Sequence, residues 1–180
     1  MPLSEQPASE PVLVEHLKAV RAAEQASYHM PGHKGGAGTP PAALDLLGAA
    51  VYEADLSELA GFDYLHGAST AIAVAQARTA RLMGAQRTWF LVNGASVGNI
   101  AAICATAVDG DPILVGRGSH RSVYAGFALS GARPVYLEAQ RNPGLDGLFG
   151  IDPEAVEDAL HRNRQIRAVH ITSPSYYGFT

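Results

Sequence analysis

The sequence predicts an α/β fold of three layers, in which a mainly parallel β-sheet lies between two layers of helices. Short runs of apolar and β-branched residues alternate with helix-length segments through the second half of the chain, and repeated strand–helix–strand units form parallel sheets. Gly, Ser and Asn residues follow several of these runs, which is typical of ligand-binding loops at the carboxyl ends of parallel strands. A helical segment precedes the sheet.

Composition indicates a globular chain and argues against several functions. Of the 180 residues, 47% are hydrophobic and 17% are charged, which is enough apolar content for a packed core. A net charge of −4 without any basic run argues against a nucleic-acid partner. The N-terminus lacks a signal-peptide pattern, no apolar run has the length of a membrane span, and Cys104 has no partner for a disulfide. We therefore expect a cytoplasmic protein.

The first half of the chain is predicted to be mostly helical. Apolar residues at helical spacing predict helices over residues 11–24, 42–52 and 70–83. Ser9 is the predicted N-cap of the first helix and Ser69 that of the third.

Residues 28–41 are predicted to form a loop, because four glycines and three prolines interrupt any regular structure there. His29 and His33 have the spacing of a helical zinc pair, but Pro31 and the glycine after it prevent that helix, so we expect no metal site. Two interpretations stay open for this loop. It is either a polar surface connector or, with its His and Lys side chains, a loop that faces a ligand.

The second half alternates strands with helices. The predicted elements are, in order, strand 88–92, helix 97–108, strand 113–115, helix 120–129, strand 134–137, a helix from Pro153 capped by Asp152, and strand 168–172. Residues 142–150 have turn composition. A ligand site is expected where the strands end, at 93–98, 116–120, Glu138 and 173–178.

The segment from Asn93 to Gly98 is the first candidate ligand-binding turn. Gly94 permits a sharp turn, the N–H groups at a helix start attract anions, and Ser96 adds a hydroxyl group. We therefore expect the turn to bind a cofactor phosphate. No lysine follows, so it is not a Walker motif, and a plain connector with small packing residues is the alternative.

Two further strand ends carry candidate residues. Residues 116–121 resemble a dinucleotide fingerprint in which Arg121 replaces the third glycine, so a nucleotide-binding domain stays an alternative. His120 lies near a helix start, where the helix dipole disfavours the imidazolium, and its neutral ring could stack on an aromatic ligand or simply be exposed. Residues 173–178 offer hydroxyls and phenols for a ligand or for packing.

Five segments, in the same order, resemble the major domain of bacterial ornithine/lysine/arginine decarboxylases. They are Met30-Pro-Gly-His-Lys-Gly-Gly36, Asp55-Leu-Ser-Glu-Leu59 with Phe62-Asp-Tyr-Leu-His66, Asn93-Gly-Ala-Ser-Val-Gly-Asn99, Gly118-Ser-His-Arg-Ser122 and Thr172-Ser-Pro-Ser-Tyr-Tyr-Gly178. The resemblance implies the large domain of a pyridoxal 5'-phosphate (PLP) enzyme of the aspartate-aminotransferase fold, fold type I. The sequence pattern predicts a tail and helix over residues 1–27, and the resemblance implies that residues 28–180 are the N-terminal part of the PLP-binding major domain.

The resemblance assigns roles to individual residues. The implied cofactor-binding residues are Gly94, Ala95, Ser96, His120, Ser173 and Ser175. The implied substrate-side residues are His33, Lys34 and Tyr176, with the His33–Lys34 loop at a subunit interface. In this scheme residues 94–96 bind the phosphate and His120 stacks on the pyridine ring. Many relatives have threonine at position 95, so Ala95 removes one side-chain contact.

The implied activity is PLP-dependent decarboxylation of arginine, lysine or ornithine in polyamine metabolism, by a homodimer or larger homo-oligomer. In the family, the aspartate that pairs with the pyridine nitrogen and the lysine that holds PLP as a Schiff base both follow the tyrosine loop. This chain ends before either, and its two lysines, Lys18 and Lys34, match neither role. We therefore expect an N-terminal fragment that is inactive alone. The alternatives are another fold-type I enzyme, such as an aminotransferase or carbon–sulfur lyase, and a non-catalytic truncated relative.

Overall fold

A computed structural model describes residues 11–23, 26–58, 61–137, 140–141, 148–176 and 178. The chain divides into two units, Met1–Phe90 and Leu91–Thr180, each with its own contacts. The predicted cap Ser9 and the predicted strand end Glu138 lie outside the described residues. The boundary predicted after residue 27 stays a prediction.

The first unit is helical, as the sequence predicts. Its helices are α1 (Val12–Ala22), α2 (Pro41–Leu47), α3 (Ala49–Ala54) and α4 (Ala71–Leu82), with single 3-10 turns at Lys34–Gly36 and Leu65–Gly67. The single helix predicted over 42–52 is wrong, since α2 and α3 are separate. Gly48 separates them because its φ of 78° and ψ of 152° are incompatible with a continuous helix.

Helix α4 begins where predicted, but Ser69 does not cap it. Thr70 is the N-cap residue and makes no side-chain capping hydrogen bond. Instead the Asp63 carboxylate accepts the backbone N–H groups of Tyr64, Ser69, Thr70 and Ile72, at donor–acceptor distances of 2.8, 3.0, 3.1 and 2.7 Å. Burial alone would raise the pKa of Asp63, but these hydrogen bonds outweigh burial and hold that pKa well below its usual range.

The second unit contains the sheet. Its elements are α5 (Gly94–Thr106), β1 (Pro112–Gly116), α6 (Arg121–Ser130), β2 (Arg133–Leu137), β3 (Gln140–Arg141), β4 (Leu148–Phe149), α7 (Pro153–Arg162) and β5 (Ala168–His170). Strand β1 is central and pairs in parallel with β2 on one side and β5 on the other. The parallel α/β sheet is therefore confirmed. Strands β3 and β4 form an antiparallel pair, so the segment predicted as a loop over 142–150 includes a short strand.

Helices cover both faces of the sheet because successive β1 side chains point to opposite faces. Ile113 and Val115 join a buried cluster with Ile103 of α5 and with Val123 and Phe127 of α6. On the other face, a Cβ at position 116 would lie 2.8 Å from the Ile151 side chain, and α7 packs against β2. Asp152 caps α7 by accepting the N–H of Glu154 at 2.9 Å, as predicted.

The strand predicted over residues 88–92 is wrong. Residues 87–91 have no regular structure, and no strand in the described part of the chain pairs with them. Their apolar, β-branched composition fits a buried strand, but a strand forms only where a neighbour supplies ladder hydrogen bonds. Trp89 and Leu91 are accordingly exposed. Across the described ranges, no helix combines the length and the apolar character that crossing a lipid bilayer requires.

Candidate cofactor-binding site

The start of α5 is open to an anion. Asn93 and Gly94 both have a φ of 67°, and these two left-handed residues turn the chain directly into the helix, three residues earlier than predicted. Ala95 and Ser96 therefore lie exposed in the first turn. The Asn93 side chain makes no capping hydrogen bond, and a Cβ at position 94 would meet nothing within 4 Å. The first N–H groups of α5 are thus available to a ligand in open space.

His120 lies in the loop after β1 and is the N-cap residue of α6. Its Nδ1 accepts the backbone N–H of Ser122 at 3.2 Å and lies 2.8 Å from the Ser122 hydroxyl. A backbone N–H can only donate, so Nδ1 must be the unprotonated nitrogen and Nε2 carries the proton. These contacts at Nδ1 fix the orientation of the exposed imidazole ring.

Ser122 ties His120 to α5. The Ser122 side chain is buried, and its hydroxyl accepts a hydrogen bond from the Asn99 side-chain amide at 2.9 Å. Asn99 lies three residues after Ser96, and residues at that spacing are neighbours on one helix face, with Cβ atoms about 5–6 Å apart. The structure therefore brings His120 to the α5 face that carries Ser96. Sequence reasoning missed Ser122 and Asn99, although both fall inside the quoted motifs as polar residues on helices that pack together.

Two buried polar atoms at the same sheet edge have no hydrogen-bond partner among the described residues. They are the Ser119 hydroxyl, after β1, and Nδ1 of His170, at the end of β5. Because β1 and β5 are parallel neighbours, their carboxyl ends meet at one edge. Buried polar atoms are nearly always hydrogen-bonded, so unpaired ones at this edge fit a site that receives a polar ligand. The sequence did not single out either residue.

The loop before His120 is fixed by aromatic side chains. The Tyr124 hydroxyl donates to the Arg117 carbonyl at 3.0 Å, and the Arg117 guanidinium lies 4.5 Å from the centre of the Tyr136 ring. Burial raises the pKa of Tyr124, and nearby Tyr136 adds to the increase while Arg117 opposes it. The phenol therefore stays protonated and keeps donating its hydrogen bond.

The remaining predicted cofactor residues follow β5 at the same edge of the sheet. Ser173 is exposed, Ser175 is half-buried, and the Ser175 carbonyl accepts the N–H of Gly178 at 2.9 Å. Tyr176 is 93% exposed. The loop is thus at the strand end that the sequence predicts for it.

His33 and Lys34 belong to the other unit. His33 Nε2 lies 3.0 Å from an oxygen of Asp55, and the Lys34 ammonium donates to the His29 carbonyl. Lys34 lines a cavity of about 600 Å³, together with Asp55 and residues of α1 and α3. Within the described part of the chain, no three His, Cys, Asp or Glu residues converge as a metal site would require.

Comparison with known proteins identifies the family. Residues 11–180 match the family described as "Orn/Lys/Arg decarboxylase, major domain". This chain belongs to that family. It is 32% identical over 167 residues to an arginine decarboxylase of Bacillus cereus, covering 93% of this chain and 35% of that protein. It is 36% identical over 146 residues to an inducible ornithine decarboxylase of Escherichia coli, covering 76% of this chain and 19% of that protein. The chain thus spans about a third, or less, of the length of these relatives.

Solved structures of lysine decarboxylases share the fold. Lysine decarboxylase A from Pseudomonas aeruginosa superposes with a TM-score of 0.76 and 27% identity, over 91% of this chain and 24% of that one. The constitutive lysine decarboxylase of E. coli gives a TM-score of 0.73 over 92% of this chain and 25% of that one, and at 24% identity it supports the fold alone. The family and fold class that the five segments indicate are therefore confirmed.

Proposed function

We propose that the protein to which this chain belongs uses PLP to decarboxylate arginine, lysine or ornithine. In this proposal, the chain supplies the site that binds the cofactor phosphate and a residue that contacts the cofactor ring. One observation carries the proposal. The His120 ring is tied through Ser122 to Asn99 on α5, whose first N–H groups have no side-chain cap. An anion seat beside a flat, fixed aromatic ring suits a phosphorylated pyridine.

The proposed roles follow from what each group can donate. The backbone N–H groups at Gly94, Ala95 and Ser96 and the Ser96 hydroxyl would hold the phosphate, with the α5 dipole adding favourable charge. His120 would contact one face of the pyridine ring. Ser173 and Ser175 are proposed near the cofactor because their loop follows β5 at the edge where β1 ends. His33, Lys34 and Tyr176 are proposed on the substrate side.

In the proposed reaction, the residues of this chain bind and orient the cofactor. PLP, when bound, withdraws the electron pair that the substrate's α-carbon retains as carbon dioxide leaves. The Ser96 turn would hold the phosphate of the cofactor, and His120, held through Ser122, would contact its ring. Such fixed positioning lowers the entropy cost of reaching a reactive geometry.

Activity of the complete gene product is the first test. We expect it to release carbon dioxide from L-arginine, L-lysine or L-ornithine only when PLP is present, whereas residues 1–180 alone should not. Arginine should be tested first, because relatives matching most of this chain are named arginine decarboxylases. Failure with all three amino acids would refute the proposal.

Cofactor affinity is the second test. Ser96→Ala in the complete gene product should weaken PLP binding about tenfold, since a hydrogen bond to a charged group contributes about 1.5–3 kcal/mol. Thr106→Ala, at the opposite end of α5, is the matched control and should leave PLP affinity unchanged. If absorbance titration gives equal PLP affinities for wild type, Ser96→Ala and Thr106→Ala, the phosphate does not bind at the start of α5.

We further propose that the protein acts in the cytoplasm, in polyamine metabolism, as a homodimer or larger homo-oligomer. The support is the family resemblance, in which dimers share active sites. Analytical ultracentrifugation of the complete gene product should give a mass of at least two subunits, and a monomer at micromolar concentration would contradict it.

A further inference from the structure

The unit Met1–Phe90 contains the cavity of about 600 Å³, which lies between α1, the glycine-rich loop and α3. His29 and Phe62 form part of its wall and contact each other edge to face, with ring centres 5.8 Å apart. Two of its charged side chains already form an ion pair, Arg21 with Glu53. The cavity is large enough for an amino-acid-sized ligand.

Lys34 brings a positive charge to this cavity. Its backbone is in the left-handed region, with a φ of 50°, and its ammonium group donates to the His29 carbonyl. Among ion pairs between described residues, Lys34 takes part in none, whereas Lys18 at the same wall pairs with Glu15. An ammonium group has three donors, so Lys34 retains capacity for an anion.

His33 contacts two residues that line the cavity, Tyr52 and Asp55. Its carbonyl accepts the N–H groups of Gly36 and Gly38, both at 2.9 Å, which closes the turn that contains Lys34. Its side chain, 19% exposed, has one ring edge on Tyr52 with ring centres 5.3 Å apart. His33 is not among the residues that line the cavity.

Asp55 fixes the His33 ring. The Asp55 carboxylate lies 3.0 Å from Nε2 and at neutral pH can only accept, so Nε2 carries a proton. Nδ1 of His33 is buried without a partner among the described residues, which leaves Asp55 as the hydrogen-bond partner that orients the ring there. Asp55 also lines the cavity, so one side chain links the ring to the wall.

We propose that Asp55 is a positioning residue that acts through His33 to hold the Lys34 ammonium at the cavity wall, where Lys34 binds the carboxylate of an amino-acid ligand. The class of ligand rests on the proposed function. The positioning step rests on the Asp55–His33 hydrogen bond and on the two N–H groups that close the turn at the His33 carbonyl.

Variants of the complete gene product, loaded with PLP, test this inference. Lys34→Met should raise KM for the amino acid by at least about tenfold, because a charged hydrogen bond is lost. Asp55→Ala should raise KM about three- to tenfold with kcat and PLP affinity unchanged, and Asp55→Asn should restore most of the loss because its amide oxygen still accepts from Nε2. Asp45→Asn, an exposed carboxylate of α2, is the control and should match wild type.

The double variant separates positioning from a general loss of structure. Because Asp55 acts through Lys34, Asp55→Ala combined with Lys34→Met should be no worse than Lys34→Met alone. Three results would each overturn the inference. The increases in KM could be additive in the double variant, Asp55→Ala could have the same KM as the Asp45→Asn control, or the increase in KM could be matched by an equal loss of PLP affinity. Should Asp55→Ala fold poorly, Asp55→Asn and His33→Gln are compared instead, and a tenfold KM increase in Asp55→Asn would overturn it.

Two readouts do not require turnover. Nitrogen-15 NMR of His33 should show the proton on Nε2 in wild type and a loss of that preference in Asp55→Ala. Isothermal titration with L-arginine, L-lysine and L-ornithine should show about tenfold weaker binding in Lys34→Met than in wild type. A wild-type protein that binds an amino acid through Lys34 without decarboxylating it would refute the proposed function and keep the inference. If Lys34→Met decarboxylates and binds the amino acid as wild type does, the inference is refuted and the proposed function is kept.

Discussion

Helices α4 and α5 begin in opposite ways. At α4, one carboxylate from outside the helix, that of Asp63, accepts the N–H groups of Ser69, Thr70 and Ile72. At α5, Asn93 makes no side-chain cap, and Ala95 and Ser96 are exposed. The two helices have similar lengths, so their dipoles offer similar attraction for an anion.

The difference lies in whether a side chain accepts the N–H groups at the helix start. A built-in carboxylate uses the N–H groups of α4 to order the preceding loop and stabilise the fold. The start of α5 lacks such a side-chain cap, and in the proposed function its N–H groups bind the cofactor phosphate. Removing the carboxylate at α4 should therefore lower stability, whereas adding a carboxylate at α5 should lower the affinity for the ligand.

The largest expected effect is on stability at α4. Asp63→Ala removes the acceptor of four backbone N–H groups and should lower the free energy of unfolding by about 3 kcal/mol, as expected for losing a cap and several charge-assisted hydrogen bonds. Urea denaturation followed by circular dichroism measures this change. Asp45→Ala on α2 is the control, expected within about 0.5 kcal/mol of wild type. A loss below about 1 kcal/mol in Asp63→Ala would mean that the N–H groups find other acceptors.

Adding a carboxylate to α5 should have the next largest effect. Asn93→Asp makes the start of α5 resemble that of α4, and we expect about 0.5 kcal/mol of added stability without PLP. The same charge would repel the phosphate and weaken PLP binding by at least about tenfold. Gln165→Glu, which changes the net charge equally in an exposed turn, should leave affinity unchanged. If Asn93→Asp binds PLP like wild type, the phosphate does not lie at this helix start.

The smallest expected effect is the loss of the stability contribution of Asp63 at acidic pH. The hydrogen bonds lower the folded-state pKa of Asp63 below its ordinary value of 3.8, so its contribution to stability is present above that value and is lost as pH falls below it, toward the folded pKa. The gap in unfolding free energy between wild type and Asp63→Asn should therefore narrow as pH falls from about 5 to 2.5. A gap that stays constant over this range would contradict the lowered pKa.

The sequence proposes the residues of the candidate site but not the hydrogen bonds that connect them. Residues 94–96 and His120 follow from local patterns, because small residues at a strand end and a histidine at a helix start have local physical meaning. Ser122 and Asn99 do not, because their hydrogen bond joins side chains 23 residues apart. The role of Asp63 was not predicted for the same reason. Ser69 satisfies the local rule for a cap, whereas Asp63 accepts N–H groups that lie six to nine residues away in the sequence.

The sequence by itself determined the family, the parallel α/β sheet, and the position of most helices in the chain, since periodicity, turn residues and short motifs are encoded over a few neighbouring residues. Only the tertiary structure decided which N–H groups are saturated, that His120 is bound to α5 through Ser122, and that the apolar run at 88–92 forms no strand. The physical reason is that hydrogen-bond partners and strand neighbours come from distant parts of the chain, and local composition does not identify them.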